Sequence, residues 1–148
     1  KTIKGLHIYS SNESMGSKAE YIRDGLDWEM WVKNFQRVAE SGSFSSMHSM
    51  CTIGALSLEG LVDYLDWCIG IKQKAKSKDA VTFTLNILQF PNFQSCLILP
   101  YEIRTKFATE LTNWLIKCRG TGLLHDMEIE QVERLIEYLD NDQLFLEQ

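Results

Sequence analysis

The feature that most constrains the fold is a repeated order of strand and helix patterns. Strand patterns begin at residues 5, 44 and 81, and a helical pattern follows each of them. Strands that alternate with helices in this way are typical of βαβ units, whose strands pair in parallel through right-handed crossovers. The order therefore predicts the α/β fold class, with parallel β-α repeats followed by C-terminal helices.

The three strand patterns differ in composition and in the residues that follow them. Residues 5–10 alternate apolar and polar side chains, and a polar loop follows them. Residues 44–53 carry several serines, whereas residues 81–88 are rich in β-branched and aromatic side chains. Pro91 ends the third strand, because proline cannot donate to a sheet ladder.

Apolar residues at helical spacing, together with the residues that flank them, predict the helices. Asp27 and Ser57 are expected to cap two of them, and Gly42 is a natural stop. Lysines in residues 72–78 are expected to form a solvated helix end that favours the negative end of the helix dipole. The predicted helices cover residues 27–40, a stretch beginning near 58, a stretch after Pro100, and residues 126–139.

Three strands alone leave two exposed edges and a partly uncovered face. Parallel sheets are stable when helices cover both faces or when the sheet closes into a barrel. Since the chain starts at Lys1 rather than Met, we expect the C-terminal piece of a longer α/β barrel. The alternative is a compact three-layer domain whose last two helices close the open side.

Charge and cysteine usage exclude several classes of protein. The net charge of −5 argues against a nucleic-acid binder, which would usually be basic. No signal peptide and no membrane-length apolar run is visible, so we expect no membrane partner. The four cysteines are widely spaced and predict buried thiols in a cytoplasmic protein, with no metal site. Residues 126–148 hold eight acidic residues and one basic residue, so the last helix has an acidic face.

Candidate binding residues follow the strands, because ligands of parallel α/β folds sit outside the carboxyl ends of the strands. The first end offers Ser10, Asn12 and Glu13, with hydroxyl, amide and carboxylate groups that suit a ribose or an amino acid. Arg23 lies between the first loop and the first helix, where its fork of donors could grip a carboxylate. The alternative for Arg23 is a surface ion pair with Asp24 or Asp27.

The order of these features resembles the later barrel units of radical S-adenosylmethionine (SAM) enzymes, particularly the branch with SPASM or twitch extensions. The resemblance covers roughly residues 1–118. It rests on the order of several short motifs. These are Ser10-Ser11-Asn12-Glu13, Arg23-Asp24-Gly25, Trp28, Trp31, Asn34, Phe35, Cys51-Thr52, Phe90-Pro91 and Leu99-Pro100.

The resemblance implies part of a (βα)6 TIM-like barrel that binds SAM and a [4Fe–4S] cluster. Ser10 and Asn12 would lie near the ribose or methionine part of SAM, and Arg23 would pair with its carboxylate. Thr52 and Asn86 would line the same cavity. The chain departs from the family at Asn12, which replaces the usual acid, at Glu13, which replaces the usual glycine, and at Asp24.

The three-cysteine loop of the family, C-x-x-x-C-x-x-C, does not occur in the sequence. Three thiolates in one loop hold the cluster and leave one iron open for SAM. We therefore expect the loop upstream of Lys1, and otherwise a chain that is not catalytic. No catalytic residue and no metal ligand is assigned to these 148 residues.

Together these observations predict a partial radical-SAM-like barrel in residues 1–118 and a C-terminal helical extension in residues 119–148. The intact enzyme would cleave SAM reductively and start radical chemistry on an unknown small-molecule or peptide substrate. One alternative is a non-catalytic α/β interaction module that uses its open sheet edge or its acidic last helix. Another is a small barrel enzyme of a different class, such as a phosphate-binding one, although the Gly-rich anion loop is missing.

Overall fold

The computed structural model describes residues 4–141 and confirms an α/β fold built on a parallel sheet. Each strand pattern forms a strand, and each predicted helix forms within a few residues of its expected bounds. Helix α1 was not among the predicted helices, because the polar sequence after the first strand indicates a loop. The elements are β1 (His7–Ser11), α1 (Gly16–Ile22), α2 (Trp28–Ser41), β2 (Ser46–Ile53), α3 (Leu58–Lys74), β3 (Val81–Ile87), α4 (Tyr101–Arg119) and α5 (Asp126–Asp140).

The strands lie in the order β1-β2-β3, and both neighbouring pairs are parallel. Alternate residues such as Cys51, Phe83 and Leu85 are buried against the helices. On the opposite face of the sheet, no residue of the three strands is buried. The sheet therefore has one face packed against helices and one uncovered face.

Helices α4 and α5 pack on the same side of the sheet as α3. Trp114 of α4 and Leu135 and Leu139 of α5 share one core with Phe83 of β3. The expected three-layer alternative, in which the last two helices close the open side, is therefore wrong for the described residues. Helix α5 belongs to the predicted C-terminal extension, yet it contributes fully buried side chains to the common core.

Side chains of α5 also occupy the outer edge of β3. Glu128 Oε1 accepts the backbone N–H of Phe83 at 2.9 Å, and Gln131 Oε1 accepts that of Leu85. Arg134 donates to the carbonyl oxygen of Leu85 at 3.1 Å. These groups satisfy backbone donors and acceptors that a fourth strand would otherwise take, so α5 closes this edge of the sheet.

Lys72 does not belong to a solvated helix end, so that prediction is wrong at this position. Its side chain is 1% exposed, and Nζ lies 2.5 Å from Oε2 of Glu128, which is fully buried. The same nitrogen donates to the carbonyl oxygen of Leu123 at 3.0 Å. Lys72 points inward because α3 presents this side to α5, whereas Lys74 remains exposed. The pair joins the α4–α5 loop and α5 to α3.

The two predicted helix caps have different outcomes. Asp27 caps α2 as expected, since its carboxylate accepts the backbone N–H of Met30 at 2.9 Å. Ser57 precedes α3 but makes no capping bond with its side chain. Its hydroxyl instead donates to the carbonyl oxygen of Gly54 and accepts the N–H of the same residue, which fixes the turn after β2.

Candidate functional site

A cavity of about 530 Å³ lies at the carboxyl end of the sheet. Thr52 and Gly54 approach it from the end of β2, and Leu88 approaches it from the end of β3. Its volume falls in the range of small-molecule sites. The remaining lining residues are one charged pair, two polar residues and otherwise apolar side chains, namely Glu13, Arg23, Ser57, Gln94, Tyr21, Ile22, Ala55, Leu56, Phe93 and Ile98.

An ion pair between Glu13 and Arg23 forms the polar wall of this cavity. Arg23 Nη2 donates to Glu13 Oε2 at 2.7 Å, and the backbone N–H of Thr52 approaches the same oxygen at 3.5 Å. The Glu13 side chain is only 3% exposed, whereas that of Arg23 is 30% exposed. Arg23 Nε has no hydrogen-bond partner among the described residues. That nitrogen is buried, but 30% of the Arg23 side chain is exposed and the residue lines the cavity, so a ligand there can contact it.

Helix α1 brings Arg23 back over the rim. It begins five residues after β1 ends, and the backbone N–H of Arg23 donates to the carbonyl oxygen of Ala19. Ala19 is buried, which anchors the short helix to the rest of the protein. Gly25 follows with φ of 79°, a left-handed conformation that glycine adopts readily. Arg23 thus lies at a fixed turn next to Glu13, and its partner is neither Asp24 nor Asp27.

The structure brings together some of the predicted site residues and separates others. Thr52 and Arg23 line the rim cavity. Ser10 faces the helices instead, where its hydroxyl accepts from Trp31 Nε1 at 2.8 Å. Asn12 is fully buried, and its side-chain amide donates to the carbonyl oxygen of Ser14 at 2.8 Å. These contacts assign Ser10 and Asn12 a part in shaping the strand end behind the cavity.

Asn86 lies apart from the rim cavity. It lines a separate depression of about 380 Å³ near the end of β3, together with Gln89, Arg134 and Tyr138. Its side chain is on the uncovered face of the sheet, and in the strand register Asn86 pairs with Thr52. Asn86 and the rim pair therefore face different spaces.

Two features of the site were not predicted from the sequence, namely the pairing of Glu13 with Arg23 and the presence of Phe93. Glu13 was expected at the end of the first strand, and a signal for the pair existed in one carboxylate and a guanidinium ten residues later. Phe93 is 70% exposed in a loop of short helical turns after β3. No pattern in the sequence brings that loop over the rim, because its course is set by tertiary contacts such as the bond from Ala55 N–H to the carbonyl oxygen of Gln94.

The cysteines are buried thiols, as the sequence predicts, and all four are free. Burial raises the pKa of Cys68 and of Cys96 to about 12, and burial also raises the pKa of Cys51 well above its usual value. Thiols with such pKa values stay protonated at neutral pH and are weak nucleophiles. Within residues 4–141, no group of three or more His, Cys, Asp or Glu side chains is placed to hold a metal ion.

Comparison with protein-family models, with curated proteins and with solved structures finds no match. The site therefore has to be interpreted from its own geometry. Across the described part of the chain, no helix combines the length and the apolar character needed to cross a membrane.

Proposed function

We propose that the chain is an arc of a radical SAM barrel whose rim binds SAM at the Glu13–Arg23 pair. The observation that carries the proposal is a charged pair beside a cavity at the carboxyl ends of parallel strands. Ligands of parallel α/β folds occupy this position. The amino-acid end of SAM carries a carboxylate and an ammonium group, so it presents opposite charges to both members of the pair.

The residues at the rim fit SAM. The Arg23 side chain lines the cavity and is 30% exposed, so its guanidinium can bind the SAM carboxylate from the cavity side. Glu13 can accept from the ammonium group, and the apolar side chains of Leu88, Phe93 and Ile98 suit the adenine base. When bound beside a reduced iron–sulfur cluster, SAM supplies a radical through reductive cleavage. The residues of this chain would bind and orient it.

The described residues do not fit the cluster itself. Their four thiols are buried, and within residues 4–141 no group of three or more His, Cys, Asp or Glu side chains is placed to hold a metal ion. The proposal therefore places the [4Fe–4S] cluster in the intact protein, on a segment upstream of Lys1, and assigns no catalytic step to this chain. The uncovered polar face of the sheet supports an arc of a (βα)6 barrel, because parallel sheets otherwise carry helices on both faces. The free thiols are also consistent with a cytoplasmic protein.

Substitution of Arg23 tests the carboxylate contact. We expect Arg23→Gln to weaken SAM binding by about tenfold to a hundredfold, because a hydrogen bond to a charged group contributes about 1.5–3 kcal/mol. Isothermal titration calorimetry on the full chain measures the change. Lys18→Gln is the matched control, since it removes one positive charge from α1, where Lys18 pairs with Glu59 on the surface.

A ligand-side control makes the assignment specific. Decarboxylated SAM should bind the wild-type chain more weakly than SAM does, and Arg23→Gln should bind the two ligands equally. Equal binding of SAM to wild type and Arg23→Gln would refute the carboxylate clamp. Failure of the wild-type chain to bind SAM at any concentration tested would refute the proposed function.

A non-catalytic interaction module is the second candidate function. The observation in its favour is that no strand within residues 4–141 pairs with the outer edge of β1, whereas α5 covers the outer edge of β3. An exposed edge can take a strand from another chain. Sedimentation of the wild-type chain separates the candidates, because this function predicts self-association or complex formation without any SAM binding.

A further inference from the structure

A chain of hydrogen bonds crosses all three strands on the uncovered face of the sheet. His7 Nδ1 lies 2.6 Å from Ser46 Oγ, and the same oxygen lies 2.8 Å from His48 Nε2. His48 Nδ1 lies 2.6 Å from Thr82 Oγ1. Strand register places His7 beside Ser46 and His48 beside Thr82, so the chain follows the pairing of the sheet.

The strands carry no carboxylate on this face, although the protein has a net charge of −5. Its titratable side chains are the two imidazoles and the phenol of Tyr9, and the helices pack against the opposite face. An imidazole that takes up a proton becomes a cation, so a face with two imidazoles and no strand carboxylate can become complementary in charge to an anion. The strand residues of this face are His7, Tyr9, Ser11, Ser46, His48, Met50, Thr52, Thr82, Thr84 and Asn86.

We propose that this face binds an oxyanion of the phosphate, sulfate or carboxylate type, through His7, His48 and the hydroxyl groups bonded to them. A protonated His48 donates from both ring nitrogens, one to Ser46 Oγ and one to Thr82 Oγ1. Thr82 Oγ1 then accepts from the ring, which leaves its own hydrogen free to point at the anion. Ser46 Oγ accepts from the ring as well, and its hydrogen is free when His7 carries a proton on Nδ1 and donates to the same oxygen. One proton on His48, with His7 in this tautomer, thus supplies a positive charge and aligns two O–H donors.

Two neighbouring side chains support this arrangement. The Tyr9 ring stacks on His48, with 4.7 Å between the ring centroids and 18° between their planes, and an aromatic face stabilises a cation. Thr84 Oγ1 on the same face is buried and has no hydrogen-bond partner among the described residues, so this hydroxyl does not compete for the ring nitrogens of His48. Burial and the nearby His7 lower the pKa of His48 from 6.5, so this ring is neutral at pH 7 without an anion.

This site is distinct from the rim. His7, Ser46 and Thr82 lie at or next to the amino ends of their strands, whereas the Glu13–Arg23 pair lies beyond the carboxyl ends. The inference therefore goes beyond the proposed SAM function and can fail or succeed without it.

Nuclear magnetic resonance of the three histidines tests the site on the full chain. Sodium sulfate is the first probe, because its charge does not change between pH 5 and 8, and sodium chloride keeps the ionic strength constant. We expect saturable shifts of His7 and His48 with one shared dissociation constant. His125 serves as the internal control and should not shift, since the Glu128 carboxylate already accepts its backbone N–H at 2.9 Å and occupies the N-terminus of α5. Affinity should fall about tenfold per pH unit above the pKa of His48, because a proton binds with the anion.

Variants and a second anion complete the test. Thr82→Val keeps a β-branched side chain in β3 and removes the hydroxyl, so sulfate should bind about tenfold more weakly. Sodium acetate shows which class of oxyanion the face prefers. Tighter binding of acetate indicates a carboxylate ligand, and tighter binding of sulfate indicates a phosphate or sulfate group. Equal shifts of all three histidines, no saturation with either anion, or unchanged affinity in folded Thr82→Val would overturn the proposal.

Discussion

Lys72→Met is expected to lower the free energy of unfolding by about 3–5 kcal/mol, because it leaves the carboxylate of Glu128 buried without its ion-pair partner. Both side chains are at most 1% exposed, and the Lys72 ammonium also lies 5.7 Å from the centre of the Phe83 ring. A loss of this size is a large part of the stability of an ordinary domain. Urea unfolding, followed by circular dichroism and tryptophan fluorescence, measures it.

Lys74→Met is the matched control, because it makes the same chemical change two residues along α3 at an exposed position. It should change stability by less than about 0.5 kcal/mol, the usual limit for surface substitutions. The double variant of Lys72→Met with Glu128→Gln should lose less than the sum of the two single losses, since removing both charges leaves neither one uncompensated. A loss under 1 kcal/mol for Lys72→Met, or strict additivity in the double variant, would contradict a buried pair.

Leu135→Ala is expected to cost about 2–5 kcal/mol, because Leu135 is fully buried where α5 meets α4 and β3. The space left by the missing side chain also loosens the packing of α5, whose side chains hydrogen-bond to the edge of β3. Met127→Ala, on the exposed side of the same helix, should have a small effect. Hydrogen exchange should show faster exchange of the Phe83 and Leu85 amides in Leu135→Ala alone, whereas unchanged exchange there would contradict the edge contacts.

Local signals account for the part of the fold that the sequence predicts. Period-two alternation and β-branched residues locate β3, and an acidic cap with a glycine stop locates α2 between Asp27 and Gly42. Gly42 ends the helix with φ of 62°, as expected for a left-handed C-terminal residue. Helix α1 was missed because seven residues with one buried side chain carry no apolar stripe.

Tertiary contacts account for the part that the sequence does not predict. The acidic composition of α5 predicts exposed carboxylates, but Glu128 lies one turn before the buried Val132, where the backbone N–H of Phe83 and the ammonium of Lys72 hold it inside. The site shows the same division between local and tertiary information. The position of Arg23 after β1 is local information and places it near the rim. Its partner Glu13 depends on the course of α1.

The central claim is that the rim cavity beside Glu13 and Arg23 binds SAM. The most direct measurement is a map of backbone amide shifts in the ¹⁵N-labelled full chain as SAM is added to millimolar concentration. The account predicts saturable shifts at residues 13, 23, 52, 54 and 88, with residues 7, 46 and 82 at the other end of the sheet unchanged. Saturable shifts confined to other surfaces, or the absence of any saturable shift, would contradict it.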